Sequence, residues 1–215
     1  MSLNRHTVGM AEAFLREAFA QSDQPRDAKD YRLEHSYRVA NIGRRIAEKE
    51  GLDETCMVIA CLLHDIAYCR ELNTPEEQRG HGRLSAQIAR PFLQTLELTE
   101  AQINDICYAI AIHVDDEADF TWRRTTFAET VSDADNIDRF DAYRIYEGLN
   151  YVNFQEMTLE EKQNKVTSML EQLGKLRSFP MATETAAELW RQRLTYFISF
   201  YERLRHQFSD SDGIH

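Results

Sequence analysis

The chain has 215 residues, 43% of them apolar and 28% charged, with a formal net charge of −11. That length suits one domain of upper-middle size, or one domain with a helical extension, and its core needs no disulfide staples. The acidic balance argues against a nucleic-acid duplex as partner, because a phosphate backbone demands a basic face, but a small phosphorylated substrate stays open, since a bound divalent ion inverts the local field.

Helical periodicity runs through the chain, and no strand alternation is sustained. Residues 7–20 read as a short amphipathic helix with Phe14, Leu15, Ala18 and Phe19 on one side, followed by the loop QSDQPRDAKD. A second helix is expected over 31–50, stopped by Gly51. Asp53 caps a third, which carries the run CLLHDIAY with His64 and Asp65 in its middle. ELNTPEEQRGHG is a loop in which Thr74-Pro75 can start a turn of helix. The next helix is expected over 83–96, kinked or broken at Pro91. Thr99 and Gln102 form a capping box for a helix ending near His113. VDDEADFTWRRTT is a longer loop and so a candidate for function.

TFAETVSDADNIDRFDAYRIYEGL reads as one helix, and Thr158 with Glu161 caps another, to about residue 177. A last helix over 183–208 places Leu189, Trp190, Leu194, Phe197, Ile198, Tyr201 and Leu204 at helical spacing. That stripe suits core or a homodimer seam. The tail SDSDGIH is expected to fray. The expected fold class is therefore all-α, with the whole chain, 1–215, as a single domain.

Cys56, Cys61, Cys69 and Cys107 form no CxxC pair and lie in apolar segments, so they read as small core residues of a reducing compartment. The start MSLNRHTVGM lacks the apolar stretch of a signal peptide, and no run reaches the roughly 20 apolar residues of a membrane span. The expectation is a cytoplasmic protein with no membrane partner.

Of the seven histidines, His6, His206 and His215 lie near the ends of the chain. His35, His64, His81 and His113 each fall on or near the end of an expected helix. Singly, each suits a cap or a surface residue. Asp133, Asp135 and Asp138 of DADNID suit a solvated helix start, and Asp115, Asp116, Glu117 and Asp119 a wet loop. As a set they suggest more. An aspartate in an apolar run needs a compensating partner. Imidazole and carboxylate together suit Fe, Mn, Zn or Co, and a bridging carboxylate suits two ions. His64 and Asp65 would stand about 100° apart on one helix, flanking an ion at its edge. His35 and an aspartate of DADNID would complete the set from other helices.

The order His35, His64-Asp65, Asp135 resembles that of the HD superfamily of metal-dependent phosphohydrolases. HSYRVANIGRRIAEKEGLD resembles the family's first helix, VIACLLHDIA its A-x-LLHDI segment, HGRLSAQIARPFL the stretch that follows in many members, and DADNIDRFDAYRIY the helix with the final aspartate. The resemblance covers about residues 30–150 and implies an all-α HD-domain bundle, with the helices of about 155–208 as a C-terminal extension. It implies that His35, His64, Asp65 and Asp135 bind a first divalent ion, with Asp133 the competitor of Asp135. His81 and His113 stand where two-metal members add histidines, and Asp65 would then bridge. The metal would be Mn, Mg, Fe, Co, Ni or Zn.

The implied activity is hydrolysis of a nucleotide or other small phosphate ester by an activated water, as a phosphomonoesterase or phosphodiesterase. Asp65 and Arg38 are the catalytic candidates, and Arg38 and Arg83 the substrate-binding ones. Arg123 and Arg124 suit an exposed basic pair more than a phosphate lid. Many members read HDIGK where this chain reads HDIAY, so Tyr68 replaces the lysine; no GYP motif follows. Two rivals share the ligand order: a di-iron oxygenase of the HD type, and a non-catalytic domain that keeps a structural metal.

Overall fold

The protein is described by a computed structural model covering residues 3–214, so His215 lies outside the described residues. The described residues form ten α-helices and three short 3₁₀ turns, without a strand. They fall into two compact units, one of residues 1–138 with 181–186, the other of 139–180 with 187–215.

In the first unit, α1 (Arg5–Ala20) is capped by Asn4, whose side chain accepts from the His6 and Thr7 amides. Helix α2 (Arg26–Glu50) starts five residues earlier than the sequence suggests. Pro25 sits at its N-cap, RDAKD contains no breaker, and Asp27 lies in the first turn, where a negative charge is favoured. Gly51, at φ 68°, closes it. Helix α3 (Glu54–Leu63) is apolar on every side and is buried on every side from Thr55 onward, packed among α1, α2, α6 and α7. It ends before the HD pair: His64 caps it, and Asp65, at φ −107° and ψ 14°, has left the helix. The two side chains therefore reach the same cluster from a helix cap and from the turn after it, not from one edge of a continuous helix.

A 3₁₀ turn (Ile66–Cys69) leads to the short helix α4 (Pro75–Arg79), whose N-terminus carries a Thr74–Glu77 capping box. Helix α5 (His81–Leu93) runs past Pro91 unbroken but stops two residues later, short of the expected end at residue 96. Pro91 has no amide to donate to the Gln87 carbonyl, and the helix ends within the turn that follows it. Helix α6 (Glu100–Ile112) bears the expected Thr99–Gln102 capping box. Replacing Thr99→Ala should cost about 1 kcal/mol, read from the urea midpoint. Helix α7 (Thr126–Asp138) completes this unit's bundle against α2 and α6. Leu15, Ile46, Met57, Ile59, Leu63, Ile106 and Ile110 are fully buried in it.

The single helix expected from residue 126 onward is two. The break falls at 139–141, where Asp141 takes φ 135°, a strained value for a non-glycine residue, and its carboxylate accepts from the Ala142 amide. In the second unit, α8 (Ala142–Tyr151), α9 (Leu159–Lys175, with the expected Thr158–Glu161 box) and α10 (Glu184–Asp210) supply the helices, α10 beginning in the first unit's residues. Trp190, Leu194, Phe197, Ile198 and Tyr201 of the α10 stripe are buried within the chain. Phe140 meets Trp190 and Phe197 edge-on. No helix among the described residues is long and apolar enough to cross a membrane. All four cysteines are free, three of them buried.

Candidate metal centre

Four imidazoles and two carboxylates converge in the first unit. His35 comes from the middle of α2, His64 caps α3, Asp65 follows it, His81 opens α5, His113 caps α6 and Asp135 projects from α7. The histidines' hydrogen bonds set their tautomers. Nδ1 of His64 lies 2.7 Å from the Cys61 carbonyl, that of His81 2.6 Å from Gln78 O, and that of His113 2.7 Å from Ile110 O. A carbonyl only accepts, so each of these Nδ1 atoms carries the proton, and in the neutral ring Nε2 presents a lone pair. The Nδ1 of His35 lies 2.8 Å from Asp138 Oδ2, with the same consequence.

The Nε2 atoms meet in two facing pairs, His35 with His64 and His81 with His113, each at 3.2 Å. Asp65 lies between the pairs. Its Oδ1 is 3.0 Å from His81 Nε2 and 3.6 Å from His113 Nε2. Its Oδ2 is 3.6 Å from His35 Nε2 and 3.7 Å from His64 Nε2. Asp135 Oδ1 joins the first pair, 3.1 Å from His35 and 3.8 Å from His64.

Facing lone pairs beside carboxylates repel one another unless positive charge sits among them. The protonation of the protein groups shows the size of that demand. Burial pulls His35 down, but its hydrogen bonds to Asp135 and Asp138 outweigh burial and push it up to about 9. Burial also raises Asp65, yet His64, His113, His81 and Arg32 together hold its carboxyl well below the usual range. Asp135 is likewise held low, burial being overcome by His35 and His64. His64, wholly enclosed, is pushed down by burial to about 4, against the pull of Asp65 and Asp135. A field that retains a proton on His35 at neutral pH also attracts a divalent cation, and imidazole with carboxylate is a donor set for first-row transition ions. His35, His64 and Asp135 form one group that could hold an ion; His64, Asp65 and His113 form another. The residues present therefore fit a divalent metal.

Asp133, the competitor of Asp135, lies elsewhere: it is buried and accepts from the Ala182 amide at 2.7 Å. Arg38 donates from Nε to Asp138 Oδ1 at 2.9 Å, one carboxylate removed from His35. Arg83 donates to Asp115 and Glu117, so part of the acidic loop is paired rather than merely wet. Arg123 reaches Asp105, and Arg124 reaches Asp116 and Glu129.

Two contacts of the site escape a reading of the sequence: the role of Asp138, which is visible there only as one of three DADNID candidates, and Arg32 altogether. Asp138 orients His35 from behind, and Arg32 donates to Asp65 Oδ2 at 2.6 Å. Both had a signal: Asp138 is three residues from Asp135 and Arg32 three from His35, so each shares a helix face with a cluster residue. Replacing Asp138→Asn should weaken divalent-metal affinity about 10- to 100-fold by loosening the His35 ring, as read by metal titration.

An all-α bundle that gathers imidazoles and carboxylates from the ends of several helices defines a class of helical metal-site proteins. The HD domain family matches residues 32–141, about half the chain, and the chain belongs to that family. No curated protein matches it. Among solved structures, it resembles a predicted HD superfamily hydrolase from an uncultured Thermotogales bacterium, with TM-score 0.62 and 22% identity over 95% of this chain and 92% of the other. It also resembles Bacillus subtilis YpgQ in complex with ADP, with TM-score 0.63 and 18% identity over 94% and 95% of the two chains. A Lactobacillus plantarum protein gives TM-score 0.59 and 19% identity over 97% and 100%. At these identities the likeness establishes the fold.

Proposed function

We propose that the protein is a divalent-metal-dependent phosphohydrolase acting on a small phosphate ester, a nucleotide being the favoured class. The observation that carries this is Asp65, set with one oxygen toward each of two facing imidazole pairs. His35, His64, Asp65 and Asp135 would hold one ion, and His81 and His113 with Asp65 a second. Bound there, divalent cations supply Lewis acidity that activates water and neutralises charge on a phosphate.

The chain's own residues do the rest. The Cys61, Gln78 and Ile110 carbonyls keep the Nδ1 protons, so His64, His81 and His113 present their lone pairs without rearrangement. Asp138 fixes the His35 ring, and Arg38 holds Asp138. The ADP complex of YpgQ supports a nucleotide-type substrate.

The test is metal analysis of the purified protein with a phosphate-release screen over nucleotides and p-nitrophenyl phosphate, under anaerobic conditions, with Mn, Mg, Co and Ni. Release that is lost on chelation and restored by metal is expected. Failure with every ion would overturn the proposal. Turnover that requires oxygen would favour a di-iron oxygenase, the second chemistry that paired imidazoles with a shared carboxylate serve.

A further inference from the structure

Resting on the phosphate-ester reading above, we propose that Arg32 takes the substrate's phosphate and that the cleft it shares with Tyr68 receives a nucleoside. Arg32 links the cluster to a cavity. Its Nη1 donates to Asp65 Oδ2 at 2.6 Å, while its side chain keeps 27% of its surface exposed. The flat guanidinium lies 3.5 Å from the centre of the Tyr68 ring, which fixes its plane. One donor is used on Asp65, and a guanidinium has five in a rigid fork matched to phosphate oxygens. Tyr68 therefore does not act as a cation itself; it is the platform that aims one.

The cleft of about 350 Å³ beside this pair is lined by Gln24, Arg32, Tyr68, Arg70, Asn73 and Gln78, among others. That volume lies within the range of small-molecule sites. Three neutral amides in one cleft offer both donors and acceptors, the groups that match the edge of a nucleobase or a sugar. A bare phosphate would use Arg32 and leave them idle. Gln24 comes from the segment between α1 and α2, and Asn73 and Gln78 from the segment around α4. The start of α2, with Ala28 and Arg32, forms one wall of the cleft, and the segment from Tyr68 to Gln78 forms the other.

Calorimetric titration tests this on the metal-loaded protein with two probes, the non-hydrolysable methylene-phosphonate analogue of AMP and inorganic phosphate. The wild-type protein is expected to bind the analogue about tenfold or more tightly than phosphate. Arg32→Lys keeps a charge beside Asp65 but loses the fork and the stacking, and should weaken both probes about tenfold. Gln78→Ala, at an exposed position, should weaken the analogue by more than it weakens phosphate, narrowing the ratio by about fivefold. Equal wild-type affinity for the two probes, wild-type binding by Arg32→Lys, or an unchanged ratio in Gln78→Ala would each overturn the proposal. So would a wild-type protein that binds neither probe, even if it releases phosphate from p-nitrophenyl phosphate. Tight analogue binding with no release from any ester would instead leave this proposal standing and remove the hydrolase.

Discussion

Asp65→Asn should abolish the thermal stabilisation that a divalent cation confers on the wild-type protein. At a free cation concentration about 100 times its Kd, linkage adds about 2.7 kcal/mol to the folded state. For a chain of this size that amounts to a rise in Tm of roughly 5–10 °C. The asparagine has nearly the same shape but no charge, and both oxygens of Asp65 face imidazole pairs, so the His81–His113 pair loses the carboxylate beside it and the His35–His64 pair is left with Asp135 alone. Metal-free protein should suffer too. A carboxyl held well below its ordinary pKa stabilises the fold at neutral pH, and that stability disappears as pH falls through the folded-state value. Asparagine forfeits it at every pH and leaves Arg32 without its counter-charge. The decisive readout is therefore the increment on adding Mn, measured by scanning fluorimetry against each protein's own metal-free Tm. An increment equal to wild type would remove Asp65 from the site. On the proposed phosphohydrolase reading, phosphate release should fall by a factor on the order of 10³, since charge stabilisation aimed at the transition state would be lost.

The histidines show how far the sequence reaches. In the sequence each of the four falls on or near the end of an expected helix and taken alone suits a cap, but His35 stands in the middle of α2 because that helix starts earlier than expected. For three of them capping and cluster geometry are one arrangement. Helix ends leave carbonyls without intrahelical donors. Nδ1 of His64, His81 and His113 takes the carbonyl three residues back, which turns Nε2 of the same ring into the cluster. Sequence spacing thus named side chains that the fold brings together, while the reason for their positions lies in the carbonyls that their Nδ1 atoms meet. Asp135 over Asp133 is a similar case: both are on α7, and only packing shows that one meets His35 while the other holds the Ala182 amide.

Arg32 and Asp138 were harder, because each acts across helices. A helix face can be read from spacing, but which neighbour that face meets cannot. The break at 139–141 was also hidden, since the positive φ falls on Asp141, where no glycine marks it. The expected end of α5 ran long although Pro91 was visible, since the helix carries only two residues past it.

Gly82→Ala should unsettle the His81–His113 half of the site while a glycine substitution elsewhere stabilises the chain. A Cβ at Gly82 would stand 2.6 Å from the Ala111 carbonyl oxygen, 2.9 Å from Ile110 O and 3.1 Å from His113 Nδ1. Two of the three are backbone of α6, which no rotamer change can move aside. In an open helix, alanine would gain about 0.5–1 kcal/mol over glycine. Overpacking a buried contact costs about 1–3 kcal/mol, so the clash wins and the net effect is a loss of about 1–2 kcal/mol. Gly148 supplies the reverse sign: it lies in α8 with nothing within 4 Å of an added Cβ, and Gly148→Ala should raise stability by about 0.5–1 kcal/mol. The site consequence is separable from the stability one. Ile110 O is the acceptor that holds the His113 Nδ1 proton, so a shift of α5 against α6 loosens that tautomer and moves His81, the residue before the glycine. Gly82→Ala should therefore show a smaller Mn-induced rise in Tm than wild type, and Gly148→Ala the full rise. An undiminished increment in Gly82→Ala would mean that the second imidazole pair takes no part in holding metal.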